Sequence, residues 1–449
     1  MYKCIMPKKE HYRVYVENFD DETSIENLLN HLFQEFSPPS DSKIFVKPNL
    51  VYWNTHTDFP KYGVLTTSTV VFCVIKFLFE KGYKNVTIGE GMATTMPNDP
   101  FPMQDAFQKL GYKKLEKDYG VKLIDIFQDE SISVQLTPKL HIKMNKTAIR
   151  SDVIINLPVL KTHSQTRVSL GIKNLKGLLN VPSRKLFHDI KDGMDLQYKV
   201  AQLANPFPSC LTIIDGIYSI DRGPIIDGKA HRTNALVGSW DIFSADVVGT
   251  AILGIDLNDV PYLVQAAKDR KRSLDLSKIQ IAGKHIDEFT KKHSWEWKYN
   301  ETRTLPLPLD RIGMKGLNYY QFDDTLCTYC SFINGPIISV FYEYWKSNNR
   351  ADFNKIEVLT GKLMEPQDGM ETTILLGKCM YKKHKDNPKI KRLIPIPGCP
   401  PTVKMVKKAL DAADVILPED FYQRLETIDK EGLKKYHENP DFIPEFYKI

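Results

Sequence analysis

The stretch KIFVKPNLV, residues 43–51, decides how the first half of the chain folds. Its apolar run Ile44-Phe45-Val46 ends in Lys47, Pro48 and Asn49, the pattern of a short strand running into a polar loop. A helix is expected next. TTSTVVFCVIKFLFEKG, residues 66–82, offers Thr67 or Ser68 as a cap, apolar residues at helical recurrence and Gly82 as a stop. NVTIGEG, residues 85–91, then reads as a second strand ending in Gly89, Glu90 and Gly91. Further strands are expected in VKLIDIF (121–127), SDVIINLPVL (151–160) and CLTIIDGI (210–217). This alternation predicts an α/β fold with a mainly parallel sheet flanked by helices. Ligands of such sheets sit beyond the carboxyl ends of the strands, so the polar residues just past each strand are the candidates for function.

The chain has 449 residues, 42% of them apolar and 11% aromatic, which is core enough for two domains. The rhythm weakens after about residue 285, where KKHSWEWKYNETRTLPLPLDR (291–311) reads as a charged, proline-marked connection. The expected division is an α/β anion-binding or substrate-binding domain over 1–287 and a smaller α/β cluster-binding domain with a helical tail over 288–449. The N-terminal MYKCIMPKKEHYRVYVENF lacks the apolar core of a signal peptide, and no run reaches the roughly 18 apolar residues of a membrane span. A soluble, cytoplasmic protein without a membrane partner is therefore expected. A net charge of +6 from 61 basic and 55 acidic residues contains no dense basic block, so no nucleic-acid partner is expected and a small anionic ligand fits better. Neither a G-x-G-x-x-G fingerprint nor a Walker A sequence occurs, which leaves a nicotinamide or ATP enzyme without support.

Seven cysteines in such a chain do not read as a disulfide framework. Four fall in the C-terminal third: Cys327 and Cys330 as CxxC, Cys379 after the strand-like TTILLG, and Cys399 in PIPGCPPTVKMVKKAL, residues 395–410. Gly398 and the two prolines set Cys399 at the expected start of a helix, where the positive end of the dipole favours a thiolate. Four thiolates complement a [4Fe-4S] or [2Fe-2S] cluster and equally a structural zinc. The plainer reading makes Cys379 and Cys399 small core residues and the CxxC an accident. Cys4, Cys73 and Cys210 look different, the last two lying in apolar segments as small hydrophobes would.

A second constellation lies in INLPVLKTHSQTRVSLGIKNLKG, residues 155–177, with Lys161, His163, Arg167, Lys173, Asn174 and Lys176 interrupted by Gly171 and Gly177. A solvated basic face is the plain reading. Glycines beside lysine and asparagine also permit close backbone approach to an anion. Together with Lys47 and Asn49, these residues could line a cationic pocket in which Lys47, Lys161, His163 and Lys173 act on a substrate that Asn49, Glu90, Asn174 and Asp215 help to bind. Glu90, Asp215 and Asp241 could orient the lysines or serve as acid and base. Core ion pairing accounts for each of them singly just as well. His188 and His231 read as isolated surface histidines.

The phrases KPNLV, TTSTVV, VTIGEG, DVIINLPVLKTH, GIKNLKGLL, IIDGI and WDIFSADVVGTAILG, in this order between residues 43 and 260, resemble the domain of unknown function 362 family. The resemblance implies this α/β fold and, because many relatives are iron-sulfur proteins, favours iron-sulfur over zinc. Some relatives carry a fused ferredoxin module, whose C-x-x-C-x-x-C-x-x-x-C run is absent here. The expected function is an iron-sulfur oxidoreductase that takes single electrons from an external donor such as a ferredoxin and acts on a small organic anion. A two-electron reaction would need a second cofactor, two donor encounters or a paired subunit, which leaves a homodimer open. The alternatives are a non-catalytic electron carrier or assembly factor, and a cluster-dependent lyase or isomerase.

Overall fold

The strands form where apolar runs can be covered on both faces. In the computed structural model, which describes residues 13–56, 62–93, 99–224, 228–425 and 428–449 (without the side chains of 428–431), the strands Ile44–Pro48 and Val153–Leu157 are buried along their whole length. That is why they read as unbroken apolar runs and not as alternating ones. Cys4 lies outside the described residues. The described chain divides into two compact units. One holds the described residues up to Phe187, with Gln197–Glu296 and Asp429–Ile449, and the other holds His188–Leu196 and Trp297–Ile428. The division thus differs from a single cut near residue 287: the C-terminal tail belongs with the first unit, and nine residues around Asp192 belong with the second.

The first unit is built on a mixed, mostly parallel sheet. Its main path runs Ile281–Gly283, Val14–Asn18, Lys229–Ser239, Cys210–Asp221, Val153–Leu157, Ile44–Pro48, Val86–Glu90, Lys122–Asp125. The last five are parallel neighbours, and Lys229–Ser239 runs against both strands beside it. This antiparallel strand and Val14–Asn18 carry no signal in the alternation of the sequence. The helix Ser68–Glu80 follows the expected grammar. Thr67 caps it by accepting from the Val70 N–H, and Gly82 at φ +87° closes it, with Gly82 N–H bonded to Phe79 C=O and Tyr83 N–H to Leu78 C=O. The tail returns to this unit through aromatic packing, with the ring centroids of Tyr62 and Phe442 4.8 Å apart and those of Tyr218 and Phe442 5.4 Å apart.

The second unit carries a smaller sheet of four strands, Leu317–Tyr319, Ile356–Leu359, Thr372–Leu376 and Arg392–Ile396, parallel and adjacent in chain order. All four carboxyl ends therefore lie on one edge. Ile337 and Phe341 of the helix Thr328–Ser347 and Leu410 of the helix Val403–Ala412 pack with Tyr319, Val358, Ile374 and Ile396 of the strands into one apolar core.

Candidate functional site

Two groups of chemistry-bearing side chains stand at strand ends, one in each unit. In the first unit, Lys47 and Glu90 end neighbouring parallel strands, and their side chains meet in the interior. Lys47 Nζ donates to Glu90 Oε2 at 2.7 Å and to the Pro48 carbonyl at 2.8 Å. The remaining carboxylate capacity is taken by backbone: Leu50 N–H reaches Oε2 at 3.0 Å and Gly91 N–H reaches Oε1 at 2.8 Å. Lys161, from the short strand Val159–His163, donates to Asn49 Oδ1 at 2.6 Å and to the Val64 carbonyl at 2.7 Å. Asn174 joins the two lysines. Its Oδ1 accepts from Asn49 Nδ2 at 2.8 Å and from Lys47 Nζ at 3.4 Å, and its Nδ2 donates to Asn156 Oδ1 at 2.8 Å and to the Lys47 carbonyl at 3.3 Å. Every polar atom of that amide is used.

This network is closed from above by backbone. A Cβ added to Gly177 would stand 2.2 Å from Glu90 Oε1 and 2.6 Å from Lys47 Nζ, so only glycine lets the chain pass there. Arg184 ties the closure down, donating to the carbonyls of Gly91, Gly177 and Leu179. The consequence is full burial: Lys47 is 0%, Lys161 1% and Glu90 2% exposed. Burial pulls the Lys47 ammonium below its ordinary value, and Glu90 offsets this in part. Lys161 is pushed down to about 7 for the same reason, with Lys47 adding repulsion. The arrangement can hold or release a proton at Lys161 Nζ near neutrality.

The structure thus brings Lys47, Asn49, Glu90, Lys161 and Asn174 together, as the strand-end rule requires, but as a saturated core network in place of the expected cationic, anion-binding pocket. Its charges are answered by Glu90 and by amide and carbonyl oxygens within the protein. Asp215 does not join them. It accepts from the backbone N–H groups of Thr67 and Ile217 at 2.7 and 3.1 Å, anchoring the start of the helix Ser68–Glu80, and burial raises its carboxyl to about 6. Asp241 caps the helix Ile242–Ile252 and pairs with Arg272. His163 Nδ1 accepts from the Gln165 N–H at 3.1 Å within its own turn, and Lys173 lies on the helical turn Gly171–Asn174. His188 is not a surface histidine: it is 3% exposed, with Nδ1 2.9 Å from the Asp324 carbonyl. Asn156 and Asp246 were not singled out from the sequence. Asp246 receives the Gly171 and Ile172 N–H groups at 2.6 and 3.0 Å, from 75 and 74 residues away, a pairing that no local spacing announces.

In the second unit, the segments after three of the four strand carboxyl ends, loops or helix starts, carry cysteine and the fourth carries lysine. Cys327 and Cys330 follow Leu317–Tyr319, Lys362 follows Ile356–Leu359, Cys379 follows Thr372–Leu376, and Cys399 follows Arg392–Ile396. The segments are interlocked. A Cβ on Gly377, at φ +87°, would meet Cys330 Sγ at 2.7 Å; Lys378 N–H bonds the Gly398 carbonyl; and Lys362 N–H bonds Thr325 Oγ1, two residues before Cys327. Cys327 is the N-cap of the 20-residue helix Thr328–Ser347, and Cys379 lies in the first turn of the helix Gly377–His384. Both therefore stand at helix N-termini, whose unpaired N–H groups favour negative charge, although burial still raises the Cys379 thiol. Cys399 does not. The helix expected to start at its prolines begins at Val403 behind a Thr402 cap. The Cys330 thiol donates to the Cys327 sulfur, which lowers Cys327 to about 6 and raises Cys330; Cys379 and Cys399 add their charge at Cys330. Among the described residues, no group of three or more His, Cys, Asp or Glu is gathered as a metal-holding set as it stands. Cys73 and Cys210 are buried and their thiols are pushed up to about 12 by burial, as small core residues would be. Lys362 could have been found from the sequence by applying the strand-end rule to KIEVLTG.

Among the described residues, no helix is long and apolar enough to cross a membrane. Residues 44–251 match the model of a domain of unknown function, DUF362. The thylakoid-associated protein sll1697 of Synechocystis sp. is 27% identical over 251 residues, which cover 55% of this chain and 74% of that protein. Among solved structures, the lactate racemase apoprotein of Thermoanaerobacterium thermosaccharolyticum aligns at 13% identity with a TM-score of 0.33, over 55% of this chain and 58% of that one, less than two thirds of its length. The family match contains the whole lysine and asparagine network and none of the four clustered cysteines. Through residues 44–251, this chain is similar to the DUF362 family.

Proposed function

We propose that this protein is an iron-sulfur oxidoreductase in which Cys327, Cys330, Cys379 and Cys399 hold a [4Fe-4S] cluster and the first unit binds a small organic anion. The observation that carries the reading is the arrangement of the small sheet, whose parallel strands are followed, at three of their four carboxyl ends, by the loops and helix starts that carry the four cysteines. The donors are of the right chemical kind, and because they are not gathered as they stand, they would have to close on the cluster as it binds. Four thiols are the usual complement of such a cluster, and the missing Cβ at Gly377 leaves room for the Cys330 sulfur. A [2Fe-2S] cluster or a zinc ion takes the same complement, so analysis of the bound inorganic atoms separates them. When bound, the cluster supplies single-electron transfer.

The chain's own residues do the rest. Burial raises the Cys379 thiol and Lys362 offsets this in part; at Cys327 the bond from Cys330 dominates and Lys362 adds a small lowering. In the first unit, the buried network fixes the carboxyl edge of the large sheet and holds one exchangeable proton at Lys161 Nζ. His163, ending the strand Val159–His163, and Lys173, on the helical turn Gly171–Asn174, are the groups assigned to the anion, while Lys47, Asn49, Glu90, Asn174 and Lys161 serve as a rigid support.

The test is anaerobic purification with iron and sulfide analysis. About four of each per chain is expected. Stoichiometric zinc with negligible iron, in protein made under iron-replete and oxygen-free conditions, overturns the reading.

A further inference from the structure

The helix that bears Cys379 and the helix that follows Cys399 are strongly basic. Cys379 and Cys399 are both exposed, and Met405 lies against Gly398, the neighbour of Cys399, with 39% of its surface in solvent, which sets an exposed apolar side chain beside the Cys399 loop. The flanking helix Gly377–His384 carries three lysines and no carboxylate, and Val403–Ala412 carries three lysines and one carboxylate. Lys378 and Lys382 are four residues apart on one helix, and Lys404 and Lys408 are four apart on the other, so each pair shares a face. All four are exposed. The local acids are already engaged, Asp411 by Lys407 at 2.6 Å, Glu365 by Lys383 at 2.7 Å, and Asp189, whose charge reaches Cys379, by Lys362.

We propose that these lysine-bearing helices dock an acidic electron-carrier protein. The inference rests on the reading of the four thiols as ligands of a redox centre, and it names the partner that centre serves. Lysine-bearing helices with exposed thiols and an exposed methionine suit a protein whose carboxylates ring its own one-electron site: the charges steer and orient the encounter, and the small apolar contact sets the distance. A nucleic acid would use the lysines and leave the thiols and Met405 without a role.

The test titrates the full-length chain, purified anaerobically, with an acidic plant-type [2Fe-2S] ferredoxin as the probe, by calorimetry at rising salt. Binding at low salt is expected, weakening by about tenfold or more as surface charges are screened. The double variant Lys378→Glu/Lys404→Glu should weaken binding by about tenfold at low salt, whereas Lys278→Glu, an exposed lysine of the first unit, should leave it unchanged. Iron and sulfide are measured on the same samples. No binding by a preparation holding its full iron overturns this proposal alone. Equal weakening in Lys278→Glu, or displacement of the ferredoxin by an equal charge of single-stranded DNA, overturns it as well. Ferredoxin binding by a chain that never holds iron instead removes the cluster reading on which it rests.

Discussion

Lys47 Nζ stands 2.7 Å from Glu90 Oε2 with the two side chains 0% and 2% exposed, an ion pair between the ends of adjacent strands with no solvent to screen it. Such a pair contributes little against an apolar pair of the same shape, but removing one partner leaves a buried charge. Glu90→Gln should therefore lower the unfolding free energy by about 3–5 kcal/mol. Lys47→Met in the Glu90→Gln background should recover part of the loss, because it removes the orphaned ammonium. Urea denaturation of the single and double variants measures both. A loss below about 1 kcal/mol in the single variant would show that the pair is already solvated.

Gly177→Ala probes the same closure from the backbone side. Its Cβ would fall 2.2 Å from Glu90 Oε1 and 2.6 Å from Lys47 Nζ, both ends of a pair with no free space to retreat into. The variant should be destabilised by about 1–3 kcal/mol, as overpacked sites are. Gly120→Ala has open space at its Cβ but a φ of +68°, so it isolates the backbone cost alone and should lose less.

The pH dependence of stability follows from Lys161 and Asp215, and the two run in opposite directions. Lys161 has a folded value of about 7 against an ordinary 10.5, so between these the unfolded chain holds a proton the folded chain has lost, and stability rises with pH in that window. Asp215 is raised from 3.8 to about 6; its contribution is complete below 3.8 and is lost as pH rises through 6. Chemical denaturation across pH 4–10 should show Lys161→Met flattening the slope above about pH 7 and Asp215→Asn flattening the slope below about pH 6. An unchanged alkaline slope in Lys161→Met would mean that the amine is not desolvated.

Gly377→Ala should disrupt the cysteine site without touching a cysteine. The added Cβ would meet Cys330 Sγ at 2.7 Å, and the φ of +87° resists any residue but glycine. Iron bound per chain is expected to fall at least about twofold, while Gly369→Ala, with φ +81° but no neighbour within 4 Å, should keep it. Equal iron in the two variants would show that the packing of Cys330 over Gly377 has no part in holding the cluster.

Cysteine substitutions separate ligands from core. Cys379→Ser and Cys399→Ser should abolish or convert the cluster, and Cys73→Ser, in an apolar helix, should retain the iron and lose only stability. Iron and sulfide analysis beside a thermal melt reads both effects. Iron loss of the same size in all three would mean that the sorting by position is wrong.

What the sequence by itself determined is local. Ile44-Phe45-Val46 and the runs like it are long enough only for short strands, Thr67 and Gly82 bound a helix by hydrogen bonds within a few residues, and the cysteines are placed by the segments after TTILL and RLIPI. Periodicity and capping act over one or two turns, so a reader of the chain has all the atoms that decide them. Which polar group answers which was decided only by the tertiary structure. Lys47 meets Glu90 43 residues on, Lys161 reaches back 112 residues to Asn49, and Asn174 joins Lys47 across 127, because strand register and the closing backbone at Gly177 bring them together. Three cationic and amide-rich segments look the same along the chain whether an anion or a buried glutamate neutralises them. Burial decides between the two, since a charge removed from water must find its partner inside the protein, and the partner's identity is a property of the packed sheet.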